Sequence, residues 1–241
     1  MPKKKETMSA VVYLIPTTLG DTPIENVIPQ HVKDVVQNTR FFIVEEIRTA
    51  RRFISKLKLG IQIDTLTFYE LNEHTNPTEV RKMLQPALDG NDIGIISEAG
   101  VPGVADPGAD AVAEAHRLGI KVVPLVGPSS ILMSLMASGL NGQNFAFVGY
   151  LPVKPAERVK AIKTLEQRSN RERQTQIFIE TPYRNNHMLA ALLETCHPDT
   201  RLCIAADITT ETEYIVTKKI GDWRKQVPDL HKRPTVFLVL S

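Results

Sequence analysis

Five short, β-branched apolar runs alternate with segments of helical spacing through the first half of the chain, and no other feature restricts the fold as tightly. The strand-like runs are Val11–Pro16, Phe41–Val44, Asp64–Tyr69, Ile93–Ser97 and Val122–Val126. Between them, 29–38 repeats Val32, Val35 and Val36 on one helical face, and 48–58 is a basic amphipathic segment with Phe53, Ile54 and Leu57 inward. Segment 77–88 follows Asn76-Pro77, and 108–118 follows Pro107. Strands that alternate with helices predict a parallel sheet with helices on its faces. The runs carry few polar positions, so both faces of that sheet should be covered.

From about residue 143 the pattern changes. Phe145–Gly149, Thr175–Glu180, Leu202–Ala206, Glu213–Val216 and Thr235–Leu240 read as strands, with helical segments at 155–168, 183–195 and 219–226. Only Asp207–Thr212 separates two of the strands, which predicts an antiparallel step and a mixed sheet. Gly139-Leu140-Asn141-Gly142 carries turn chemistry and is the preferred boundary. The expected organisation is therefore a flexible tail at 1–9, an α/β domain at 10–142 and a mixed α/β domain at 143–241. The charge is split the same way, with 14 basic and 16 acidic residues in 1–142 against 15 and 11 beyond. Eight of those later cations fall between Lys154 and Arg184, as a solvated helix face or an anion-binding surface.

Composition narrows the function. With 42% hydrophobic and 23% charged residues, the chain is an ordinary globular protein. A net charge of +2 argues against a whole-protein electrostatic grip on nucleic acid but leaves a local basic surface open. Cys196 and Cys203 form no C-x-x-C pair, and His31, His74, His116, His187, His197 and His231 lack the i, i+4 spacing of a helical metal site. No metal is expected. No signal-peptide pattern follows the basic start, and no apolar run approaches the ~20 residues of a membrane span. These readings point to the cytoplasm.

In open α/β sheets, ligands sit beyond the carboxyl ends of the strands. Three segments there carry unusual chemistry. In Ser97–Gly108, three glycines and two prolines fall within the nine residues from Gly100, making an irregular backbone that can approach a ligand closely. Asp106-Pro107 reads as an N-cap and first helical residue. Pro124–Ser130 runs from strand through Gly127-Pro128 toward a helix that Ser129 or Ser130 could cap, and Ile15–Asp21 follows the first strand. Neither G-x-G-x-x-G nor G-x-x-x-x-G-K-[ST] is present.

Together these segments resemble the tetrapyrrole methylase superfamily, and most closely the bacterial ribosomal RNA small-subunit methyltransferase I family. Ser97–Gly108 is similar to S-D-A-G-x-P-G-x-x-D-P-G, and Pro124–Ser130 to P-L-x-G-P-S. Ser138-Gly139-Leu140 and Phe147-x-Gly149-Tyr150-Leu151-Pro152 match further. Glu45–Arg48 resembles E-D-T-R, Asn72-Glu73 the end of H-E-H-N-E, and Glu180–Arg184 E-S-P-H-R. The resemblance implies a two-domain α/β fold, a homodimer, and S-adenosylmethionine held in a cleft between the domains. By position, Pro16, Thr17, Glu98, Ala99, Gly100, Val104, Ala105, Asp106, Gly127, Pro128, Ser129 and Ser130 should flank that cofactor. It also implies methylation of a ribose 2′-hydroxyl on a decoding-centre cytidine of 16S ribosomal RNA, with the RNA or the small subunit as partner.

The departures fall on the acceptor side. E-D-T-R becomes Glu45-Glu46-Ile47-Arg48, both histidines of H-E-H-N-E are replaced, and Tyr183 stands where E-S-P-H-R has His. Ala206–Thr210 lacks both basic residues of the corresponding R-E-L-T-K. The last strand-like run ends one residue before the sequence does, where many members continue. Methyl transfer to a hydroxyl needs positioning and a base for its proton. Glu45, Arg48, Glu70, Glu73, Glu180 and Arg184 are the expected acceptor-side residues, with Glu46 and Asp207 as further carboxylates. Other readings are a methyltransferase for a tetrapyrrole, another small molecule or a protein, and a non-catalytic cofactor-binding regulator.

Overall fold

The computed structural model describes residues 10–72 and 74–241, so the stretch at 1–9 and Glu73 lie outside it. The chain divides into two units, one running to Pro128 and one from Ser129 to Ser241.

In the first unit the elements are β1 (Val11–Ile15), α1 (Ile24–Val27), α2 (Gln30–Asn38), β2 (Phe41–Val44), α3 (Ile47–Lys56) and β3 (Thr67–Glu70). After them come α4 (Pro77–Met83), α5 (Gln85–Leu88), β4 (Ile93–Ile96), α6 (Gly108–Arg117) and β5 (Lys121–Pro124). The five strands lie in the order β3-β2-β4-β1-β5, and every neighbouring pair is parallel. Successive side chains alternate between faces. Ile15, Phe42, Val44 and Ile96 pack with Val32, Val36, Phe53 and Ile54 of α2 and α3. Val12, Ile43, Ile93 and Ile95 pack with Val80, Leu84, Ala111 and Ala115 on the other side. Both faces are covered, as the apolar runs require.

This topology sets the site. The chain leaves β1 toward α2 and β2 on one face, and leaves the adjacent β4 toward α6 and β5 on the other. Neighbouring strands whose connections diverge in this way open a crevice at their carboxyl ends. Two expected elements differ in detail. Ile63–Thr65 is a 3-10 turn ahead of β3, so that strand starts later than the sequence implies. The helix expected over 77–88 breaks at Leu84, because Pro86 has no N–H to continue the ladder.

The second unit holds α7 (Ser130–Ser138), β6 (Phe145–Tyr150), α8 (Pro155–Glu172), β7 (Thr175–Ile179), α9 (Asn185–Thr195) and β8 (Arg201–Ala206). It ends with β9 (Tyr214–Lys219), α10 (Ile220–Trp223) and β10 (Thr235–Leu240). The sheet order is β6-β7-β10-β8-β9, with β6 and β7 parallel and the other pairs antiparallel. This is the mixed sheet read from the sequence, including the β8–β9 step. One face packs under α8, α9 and α10 around the buried Trp223, whose indole N–H donates to Leu202 O at 2.9 Å. Helix α7 lies on the opposite face, where the Thr217 hydroxyl donates to Ser138 O at 2.7 Å. That packing places α7 with the second sheet, and the division falls after Pro128 rather than at residue 142.

Candidate functional site

The three loops singled out in the sequence meet at the carboxyl ends of β1, β4 and β5. Thr17 N–H donates to Gly100 O at 2.9 Å, and the Thr17 hydroxyl donates to Ser97 O at 3.3 Å. Ser97 Oγ in turn donates to Gly100 O at 2.7 Å. Gly100 has φ +74°, and a Cβ there would lie 2.9 Å from Leu19 Cδ2 and 3.0 Å from Pro128 O. At Gly127 a Cβ would overlap the ring carbons of Pro16. Each loop therefore touches the other two. Pro16, Thr17, Gly100, Gly127 and Pro128, expected to flank a cofactor, are brought together.

The longest loop is held from within. Asp106 Oδ1 accepts from Gly103 N–H at 3.1 Å and Gly108 N–H at 2.7 Å. Helix α6 starts at Gly108, one residue later than the expected Asp106 cap implies. The carboxylate still closes the turn, and Ala105 sits at φ +54° inside it. Glu98, Ala99, Val104 and Ala105 remain exposed. Ser129 caps α7 by accepting from Leu132 N–H, and Ser130 is the first helical residue, so both serve the helix.

Charge distinguishes this cradle. Segments 15–20, 97–108 and 124–130 contain no Lys, Arg or His, and their acids are Glu98 and Asp106. Partial desolvation, with added repulsion from Glu46 and Asp106, holds the Glu98 carboxyl above its ordinary range, against a hydrogen bond with Thr49. Loops that carry acids and no bases favour a cation. A phosphate-rich cofactor would instead look for basic groups or a glycine-cradled anion hole. The donor set fits S-adenosylmethionine, whose sulfonium and ammonium groups are positive.

Beside the cradle, β2 and β3 end in register, with Val44 opposite Glu70 and Leu71 N–H donating to Val44 O at 2.8 Å. Glu45 and Glu70 thus stand at neighbouring strand ends. Glu45 lines a narrow crevice with Leu71, Asp106 and Pro107. Glu70 Oε1 accepts from Asn72 Nδ2 at 3.2 Å. Glu73 lies outside the described residues. Arg48 is exposed on α3, where Glu46, Arg51, Arg52 and Ser55 share an open groove with it. Glu46 caps α3 by accepting from the Arg48 and Thr49 N–H groups, both at 2.9 Å, and these bonds lead the lowering of its pKa.

Glu180 and Arg184 form a pair in the second unit. The Glu180 side chain is 0% exposed, and its Oε1 accepts from Arg184 Nη2 at 2.6 Å, Arg184 Nε at 3.0 Å and Thr181 N–H at 2.7 Å. Asp207 pairs with Arg233 at 2.6 Å. Thr235 of β10 is in register with Ala206, and Val236 with Ile179, so both pairs flank the start of β10. Cys196 and Cys203 are core residues: burial, ahead of Glu166, pushes Cys196 up to about 12, and burial raises Cys203 too. Among the described residues, no helix is long and apolar enough to cross a membrane.

Sequence reasoning missed the capping role of Glu46, the Ser97 tie and the Asp207–Arg233 pair. Glu is a rare N-cap, so 45–49 gives no local signal. Arg233 reaches Asp207 from just before the neighbouring strand β10, 26 residues on, and the spacing gives no hint of it.

Residues 11–223 match the family model for Tetrapyrrole (Corrin/Porphyrin) Methylases. The chain is 31% identical to the Ribosomal RNA small subunit methyltransferase I of Vibrio cholerae over 95% of this chain and 76% of that protein. It is 30% identical to the protein of the same name from Leptospira borgpetersenii, over 98% and 89% respectively. Among solved structures, the methyltransferase CobJ superposes with a TM-score of 0.63 at 20% identity, covering 96% of this chain and 93% of that one. A cobalt precorrin-4 methyltransferase gives 0.61 at 13% identity, covering 100% and 97%.

Proposed function

The chain belongs to the tetrapyrrole methylase family of S-adenosylmethionine-dependent methyltransferases, and from that premise we propose that it methylates small-subunit ribosomal RNA. The proposed target is a ribose 2′-hydroxyl of a decoding-centre cytidine in 16S RNA. Similarity to two proteins named as ribosomal RNA small subunit methyltransferases, over 76% and 89% of their lengths, supports ribosomal RNA of the small subunit as the acceptor. The observation that carries the donor assignment is the base-free, acidic cradle formed by three mutually contacting loops.

When bound, S-adenosylmethionine supplies a methyl group on a sulfonium cation, an electrophile for a hydroxyl oxygen. The chain's own part is to position and to move a proton. Pro16, Thr17, Ala99, Gly100, Val104, Ala105, Gly127, Pro128, Ser129 and Ser130 supply the backbone and small side chains of the donor site. Glu98 and Asp106 supply its negative charge. Glu45 accepts the acceptor hydroxyl's proton, Glu70 at the neighbouring strand end serves the same side, Glu73 is assigned there by its motif alone, and Arg48 pairs with phosphate. Glu180 orients Arg184 toward the RNA. The protein works in the cytoplasm as a homodimer, a state supported by the exposed Leu132 and Met136 of α7, the latter 82% exposed.

The test is transfer of labelled methyl from S-adenosylmethionine to small subunits isolated from cells that lack this gene. Incorporation into the 16S RNA is expected. No incorporation into either subunits or naked RNA, by protein that binds the donor, overturns the RNA acceptor.

A further inference from the structure

Tyr183 is 68% exposed, a large amphipathic ring of the kind enriched at interfaces. It occupies the middle of the 3-10 turn Pro182–Arg184, directly after β7. The ring is exposed but its base is pinned. On one side Glu180, with no exposed side-chain surface, holds Arg184 and the Thr181 N–H. On the other, Lys232 N–H donates to Pro182 O at 3.1 Å, and Asn185 Nδ2 donates to Arg233 O at 2.6 Å.

The ring's neighbours are cationic or titratable. Lys232 Nζ lies 5.9 Å from its centroid, and His231 meets it edge-on at 6.1 Å. Among the described residues Lys232 makes no ion pair. Arg184 is one-third exposed beyond its carboxylate. At the same end of the sheet, Thr209 and Asp207 hold positive φ of 74° and 52°, backbone that a β-branched residue adopts only under constraint. An open aromatic face beside pre-oriented cations is the combination that receives unpaired bases of single-stranded RNA, with stacking on the ring and phosphate on the cations.

We propose that Tyr183 is a substrate-positioning residue on which an unpaired base of the acceptor RNA stacks, with Arg184 and Lys232 holding the flanking phosphates. This rests on the ribosomal RNA reading and names the contact by which the second unit would hold that RNA. The charge of Arg184 is fixed in direction by Glu180, so the platform is preorganised before the RNA arrives.

The experiment is steady-state methylation of small subunits from cells lacking the gene, with donor affinity measured separately by calorimetry. Tyr183→Ala should raise KM for the subunit about tenfold or more, the scale of one lost base stack, with a smaller change in kcat and an unchanged donor Kd. Tyr183→Phe, which keeps the ring, should recover most of the loss. Lys232→Ala should flatten the salt dependence of subunit binding by about one unit of slope. Wild-type KM in Tyr183→Ala, with an active wild-type enzyme, overturns the platform alone. A wild-type protein that binds the donor but methylates no ribosomal substrate overturns the RNA reading and the platform with it.

Discussion

Gly127 lies against the Pro16 ring so closely that no side chain can be added there without moving one of the two. The contact locks the loop after β5 to the loop after β1. Gly127→Ala should therefore destabilise the first unit by about 1–3 kcal/mol, the usual scale of an overpacked site. Donor affinity should fall at least tenfold, since the cradle opens. Thermal unfolding and calorimetry measure the two effects on one sample.

Glu46 caps α3 with its carboxylate, which holds its pKa below the ordinary 4.5. A carboxyl lowered in the folded state adds stability that is present above its unfolded value and lost as the pH falls through its folded value. Glu46→Gln should thus lower Tm at pH 7. The gap from wild type should close as the pH is taken below the ordinary carboxyl range. A gap constant with pH would show that the cap acts without its charge.

Glu98 carries the opposite sign. Partial desolvation and two neighbouring carboxylates raise it above 4.5, so its favourable contribution is complete below that value and is lost as pH rises through the folded value. Glu98→Gln should raise Tm at neutral pH, with no gain near pH 4. In calorimetry the same variant should bind S-adenosylmethionine more weakly, because the carboxylate that repels its neighbours is the one proposed to face the cation.

Glu45→Ala should cut kcat by about 10²–10⁴, the range of a lost general base, while leaving the donor Kd unchanged. Single-turnover transfer to small subunits, beside calorimetry, separates the two. Unchanged turnover would remove Glu45 from the proton's path.

Much of this was legible in the residues. Ile93–Ile96 and Val11–Ile15 read as parallel strands because nothing polar interrupts them, and they pair that way, the first buried throughout and the second at Val12 and Ile15. The loop at 97–108 stands out through its Gly and Pro content, whose backbone angles then appear at Gly100 and Gly103. The unit boundary was less legible, since Gly139–Gly142 carries turn chemistry but α7 ahead of it packs on the second sheet. Glu46 reads as a further candidate carboxylate in sequence and caps a helix in the fold, because a cap depends on where the helix starts by a single residue. The Tyr183–Lys232 contact joins positions far apart in the chain, and no local pattern announces it.

The most direct test of the central claim is mass spectrometry of 16S ribosomal RNA from cells with the gene, without it, and with it restored. The RNA from cells lacking the gene should be short of one ribose methyl on a decoding-centre cytidine, and the restored gene should return it. RNA identical in all three would contradict the account.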